Sequence, residues 1–173
     1  MSERKDLILG RLAVEGQKAA DYFRSLTGDV WEQLVYTTGG KWRVREVLCH
    51  FVSAEETLVF YGKDILRGGE GAPEGFQIDE FNATQVGGMA ERTPHQLINE
   101  FEQRRAATVA LVAAMTEADL DRSGRHPWFG RESLEKMLKL VYRHNNLHLR
   151  DVRRALETGL PVAHVEIAPP SGG

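Results

Sequence analysis

Apolar residues recur at three- and four-residue spacing through four long segments of the chain, and no stretch sustains period-two alternation between turn signals. This pattern predicts an all-α fold in which strands are minor or absent. The first helix is predicted over residues 6–26, with Leu7, Leu12, Ala13, Ala19, Ala20 and Phe23 along an inward stripe, and Thr27 with Gly28 ends it. A connection containing Trp31, Leu34 and Val35 then leads through Gly39 and Gly40 to a second helix over residues 42–66.

Residues 67–75 hold four glycines and a proline, which predicts a mobile loop placed to cover a site. Residues 76–89 read as a short helix or ordered loop. Thr93-Pro94-His95-Gln96 forms a capping box with proline at the first helical position, so the third long helix starts there and runs to residue 115. Residues 117–120 add one further turn, and residues 122–131 form a second long connection. The fourth helix is predicted over residues 133–157, where Gly159 and Pro161 supply a stop. The expected organisation is one domain over residues 1–160 and a loosely held tail over residues 161–173.

A length of 173 residues with 42% hydrophobic content suits one domain with a core of its own. The formal net charge of -3 supplies no general attraction to nucleic acid or anionic membranes, which leaves a small-molecule substrate as the expected partner. Cys49 is the single cysteine, so no intramolecular disulfide forms and a reducing compartment is expected. No apolar run has the length of a membrane span or signal peptide, which makes the cytoplasm the expected location.

The chemistry is carried by histidines. His144 and His148 share an inward stripe with Met137, Val141, Val152 and Ala155, and imidazoles four residues apart on a helix can reach one metal ion. His50 occupies a similar stripe with Val47, Ala54, Thr57 and Tyr61, so a third imidazole can meet the other two. Three neutral imidazoles suit a divalent transition metal, with zinc placed first and nickel, iron, manganese or copper as alternatives. Three protein ligands also leave coordination positions open, as in catalytic sites. The plainer alternative is a set of core histidines satisfied by hydrogen bonds. Burying three unpaired rings together costs several kcal/mol, which favours a shared ligand.

Glu46 and Asp151 lie one helical turn from His50 and His148, where each either orients an imidazole, takes part in catalysis or is solvated surface charge. Asp79, Asn82 and Gln85 are candidates for the site mouth, or ordinary turn and capping residues. His126 stands beside aromatics in His126-Pro127-Trp128-Phe129-Gly130 and is a further catalytic candidate. His95 and His164 read as surface residues, and Cys49 as a packing residue. Arg143, Arg150, Arg153 and Arg154 form a basic flank, of which Arg150, with Asn82, is a candidate for binding a cofactor.

The segment Lys41-Trp42-Arg43-Val44-Arg45-Glu46-Val47-Leu48-Cys49-His50 resembles the helix entry of the DinB-like and mycothiol-dependent maleylpyruvate isomerase-like superfamily. The stretch Tyr142-Arg143-His144-Asn145-Asn146-Leu147-His148 and its Arg153-Arg154-Ala155-Leu156 ending resemble the final motif of that family, and the pattern covers the chain from the first helix to Leu156. The resemblance implies an antiparallel four-helix bundle with a long crossover, a metal site near one end and a homodimer. It also implies a low-molecular-weight thiol such as mycothiol, bacillithiol or glutathione. No second domain like that of the two-domain isomerases is recognised, which points away from maleylpyruvate isomerisation. The expected function is a metal-dependent S-transferase or isomerase acting on small electrophiles. The alternatives are a metal-dependent hydrolase and a non-catalytic, metal-binding dimeric stress protein.

Overall fold

A computed structural model of the chain describes residues 3–164. Helices α1 (Glu3–Ser25), α2 (Val44–Leu66), α4 (Pro94–Ala114) and α6 (Leu134–Thr158) form an antiparallel four-helix bundle, and the long crossover between α2 and α4 carries α3 (Ile78–Gly88). A single turn, α5 (Glu117–Leu120), and a two-stranded hairpin, β1 (Ser123–His126) and β2 (Gly130–Ser133), fill the connection from α4 to α6. The expected long connection at residues 122–131 is therefore mostly a hairpin, whose pairing Arg125↔Arg131 no alternating apolar pattern announced.

Local chemistry accounts for the helix ends. Thr93 accepts from the Gln96 amide while the Gln96 side chain accepts from the Thr93 amide at 2.8 Å, the reciprocal pair expected of the capping box. Ser133 caps α6 through the Lys136 amide, and Gly159 closes it in a left-handed conformation. The second helix starts at Val44, two residues later than predicted, because Arg43 is extended and its amide is taken by Glu46 Oε2 at 2.7 Å.

Helix α4 packs against α1 and α2, and α6 closes the bundle against the same two helices. One apolar cluster contains Phe23, Trp31, Tyr36, Phe51, Phe101 and Leu149, and a second contains Ile8, Leu12, Leu58, Val112, Leu120 and Leu138. Along α2 and α4 a polar layer falls between them. Arg105 donates to Glu55 Oε1 from Nε at 2.9 Å and Nη2 at 2.6 Å, Thr108 donates to Glu55 Oε2 at 2.6 Å, and Arg105 Nη1 reaches the Leu12 carbonyl at 2.8 Å. Gly16 makes room for this guanidinium, since a Cβ there would lie 2.7 Å from Arg105 Nη1.

Two segments expected to be loose are tied down. In residues 67–75 the Gly71 amide donates to Asp64 Oδ2 at 2.9 Å, and the Ala72 amide donates to the Arg125 carbonyl at 2.8 Å, which docks the loop on the hairpin. Gly71 allows this because its φ is +79° and a Cβ would sit 2.5 Å from that carbonyl. In the tail, Val162 bridges to Tyr36, with its amide donating to the Val35 carbonyl at 2.8 Å and its own carbonyl accepting from Thr37 at 3.0 Å. Residues 165–173 of the expected tail lie outside the described residues.

Candidate metal centre

The heptad-like register of α6 brings His144 and His148 to the face that looks across at α2, where His50 occupies the middle of an apolar stretch containing Leu48, Phe51 and Val52. The three side chains meet. His144 Nε2 lies 2.9 Å from His148 Nε2 and 3.1 Å from His50 Nε2, and one nitrogen from each ring falls within 4.8 Å of the other two. These are the only His, Cys, Asp or Glu side chains among the described residues that cluster in this way.

Burial is the first cause of the electrostatics. It lowers His50 and His148 well below the ordinary histidine range and takes His144 down to about 4, with neighbouring imidazoles adding to the effect on each and the Asn145 side chain partly opposing it at His144. All three rings are therefore neutral near pH 7 and keep a lone pair available for a ligand.

Tyr36 settles which nitrogen of His148 carries the proton. Its phenol donates to Asp151 Oδ2 at 3.1 Å and lies 2.6 Å from His148 Nδ1. Burial, followed by the Asp151 carboxylate, raises the phenol pKa, so the phenol stays protonated and its oxygen accepts the His148 Nδ1 proton. His148 Nε2 is then an unprotonated donor atom aimed at the other two imidazoles, the arrangement by which carboxylate-linked groups orient metal-binding histidines.

The residues fit a metal ion. His144 Nε2 has at most one proton to share between two neighbours, and the buried His50 Nδ1 has no hydrogen-bond partner among the described residues. A single cation satisfies three converging lone pairs where one proton cannot. Tetrahedral metal–nitrogen bonds of about 2.1 Å place ligand nitrogens roughly 3.4 Å apart, close to the observed spacing.

Above the triad lies a cavity of about 170 Å³, walled by Tyr61, Phe81, Trp128, Phe129, Leu140 and Val141. Asp79, Asn82 and His126 also line it, so the structure brings these three sequence candidates to the site mouth. Glu46 goes elsewhere: its carboxylate caps α2 at Arg43 and is engaged there rather than with His50. Asp151 supports His148 through Tyr36, and Arg150 holds the other Asp151 oxygen at 3.0 Å on the exposed side. Cys49 is fully buried, and burial raises its thiol to about 11, in keeping with a packing role. His95 is exposed, as expected.

His164 is a correction. It was expected on the surface, yet its ring centroid lies 4.7 Å from Tyr36 and 5.5 Å from His148, on which it stacks at 16°. The Val162 bridge carries it there. Tyr36 and Trp42 were missed as site residues. The Trp42 ring lies 4.6 Å from His50, but both residues come from an irregular connection in which spacing carries no directional signal.

The helical bundle and its convergent imidazoles define a protein with an open three-histidine centre at the base of an apolar cavity. The family model of the DinB superfamily matches residues 11–152, and the chain belongs to that superfamily. Its fold is similar to the crystal structure of an uncharacterised protein from Escherichia coli UTI89, with a TM-score of 0.70 and 14% identity over 91% of this chain and 96% of that one. No curated protein matches the sequence. None of the described helices is long and apolar enough to cross a membrane.

Proposed function

We propose that the chain is a metal-dependent enzyme that transfers a low-molecular-weight thiol to a small electrophile, with a divalent ion on His50, His144 and His148. Zinc is the first choice, ahead of nickel, iron and manganese. The observation that carries the reading is the convergence of three Nε2 atoms beneath an apolar cavity. When bound, the ion supplies Lewis acidity that lowers the pKa of a coordinating thiol.

The protein's own groups supply position and environment. Tyr36 and Asp151 fix the His148 ring, Trp42 packs beside His50, and the aromatic wall around Phe81, Trp128 and Phe129 keeps water away from an apolar reactant. Cys49 is excluded as the reacting thiol because it is buried and its thiol is held protonated, so the sulfur must arrive with a co-substrate. Hydrolysis is less well supported. It needs a proton acceptor beside the centre, and the nearby Asp151 carboxylate is already engaged by Tyr36 and Arg150.

The test is elemental analysis of purified wild type beside His50→Ala and His144→Ala, followed by assays pairing mycothiol, bacillithiol or glutathione with 1-chloro-2,4-dinitrobenzene. The expected outcome is near-stoichiometric metal in wild type, loss of metal in both variants and turnover with at least one thiol. Wild type that stays metal-free after reconstitution with zinc, nickel, manganese and iron defeats the metal reading. Metal without turnover across the thiols defeats the transferase reading.

A further inference from the structure

His126 sits at the end of β1, where the hairpin turn folds back over its ring. The backbone amides of Trp128 and Phe129 both donate to His126 Nδ1, at 3.0 and 3.2 Å. A ring nitrogen that receives two N–H groups presents its lone pair, so the neutral ring must carry its proton on Nε2. The ring lines the cavity, and Nδ1 is turned toward the hairpin backbone, which leaves Nε2 on the side away from the turn. Among the described residues no hydrogen bond occupies Nε2. Burial lowers His126 to about 4, with His144 adding to the effect, so the ring stays neutral.

Asn145 lies beside His144 on the same cavity wall. Its residue is 3% exposed, it also lines the cavity, and its Nδ2 has no hydrogen-bond partner among the described residues. That amide nitrogen is sealed from solvent, which leaves His126 Nε2 as the donor able to meet a cavity ligand.

The geometry points to a substrate that carries a carbonyl oxygen, with the Nε2–H of His126 as its specificity-determining donor. The apolar cavity wall and this donor together select an aromatic or aliphatic ketone, enone or ester over a plain hydrocarbon. A neutral imidazole serves this purpose because it donates a hydrogen bond without bringing a charge into an apolar cavity. This inference rests on reading the cavity as the substrate site, and it holds whether or not a thiol is the second reactant.

Acetophenone and α-methylstyrene provide the test, since they have nearly the same shape and differ in an oxygen against a methylene. Binding to the metal-loaded protein is measured by calorimetry or ligand-observed NMR in wild type and His126→Phe. The expected result is a loss of roughly three- to tenfold in acetophenone affinity, the worth of one neutral hydrogen bond, with α-methylstyrene unchanged. Equal losses for both ligands, or no loss for either, overturn the inference. Long-range ¹⁵N NMR of wild type provides a check that needs no variant. A protonated Nε2 that shifts on adding acetophenone supports the assignment, and a protonated Nδ1 overturns it. Ketone selectivity in a protein without thiol turnover leaves this inference standing and removes the proposed transfer reaction.

Discussion

Tyr36 shows how much one residue outside any helix can decide. Its phenol bridges Asp151 and His148, and the contact holds the imidazole proton on Nδ1. Tyr36→Phe removes one oxygen from a fully buried ring and leaves its packing intact, so metal affinity should fall about 10- to 100-fold with the fold retained. Competition titration against a chelator, with circular dichroism as the control, measures this. The histidines also set a pH dependence in the metal-free protein. His126 and His144 have pKa values of about 4 when folded and near 6.5 when unfolded, so in the interval between these values the unfolded chain binds protons that the native chain does not. Stability is therefore fully present above about pH 6.5 and is lost as pH falls toward about 4, at up to about 1.4 kcal/mol per pH unit for each such histidine. Urea midpoints of the chelated protein at pH 7.5, 6 and 5 should fall in that order. The three histidines of the centre were legible because each sits on a helix with a defined inward stripe, whereas Tyr36 and His164 sit in segments without periodicity.

At the scale of elements, apolar stripes bring the helices together and a buried polar layer locks their register. Glu55 on α2 and Arg105 on α4 are nearly fully buried, and Thr108 and the Leu12 carbonyl complete their hydrogen bonding. Arg105→Met leaves the Glu55 carboxylate buried without its partner and should destabilise the protein by about 3–5 kcal/mol. The double variant Glu55→Leu/Arg105→Met removes both charges and should recover most of that loss, a comparison that thermal unfolding can make. The capping box at Thr93 and the stop at Gly159 were readable because caps depend on local chemistry alone. The polar layer was not, since Glu55 and Arg105 become partners only when α2 and α4 are packed.

For the whole molecule, three segments outside the four long helices complete the cavity: the crossover with Phe81 and Asn82, the hairpin with His126 and Trp128, and the C-terminal segment with His164. The hairpin and the glycine-rich crossover support each other through the Ala72 and Arg125 backbones. The bridge from Val162 to the strand-like stretch at Tyr36 brings His164 to the cavity. A protein truncated after Leu160 keeps all four long helices but loses the Val162 bridge and the ring stacked on His148. It should therefore release metal to a chelator faster than the full chain while retaining its helical content, which stopped-flow chelation and circular dichroism can follow.

The four long helices, the cap at Thr93, the stop at Gly159 and the meeting of His50, His144 and His148 follow from the sequence alone, because helical periodicity turns spacing into direction and caps are written in four or five adjacent residues. Other features depend on contacts between residues far apart in the chain: the pairing of Tyr36 with His148, the stacking of His164 on His148, the closure of the glycine-rich loop onto the hairpin, and the cavity that joins His126 to the triad. Those contacts form only when the crossover, hairpin and tail settle on the finished bundle. Irregular segments carry no repeat from which their side-chain directions can be read, so tertiary packing decided them.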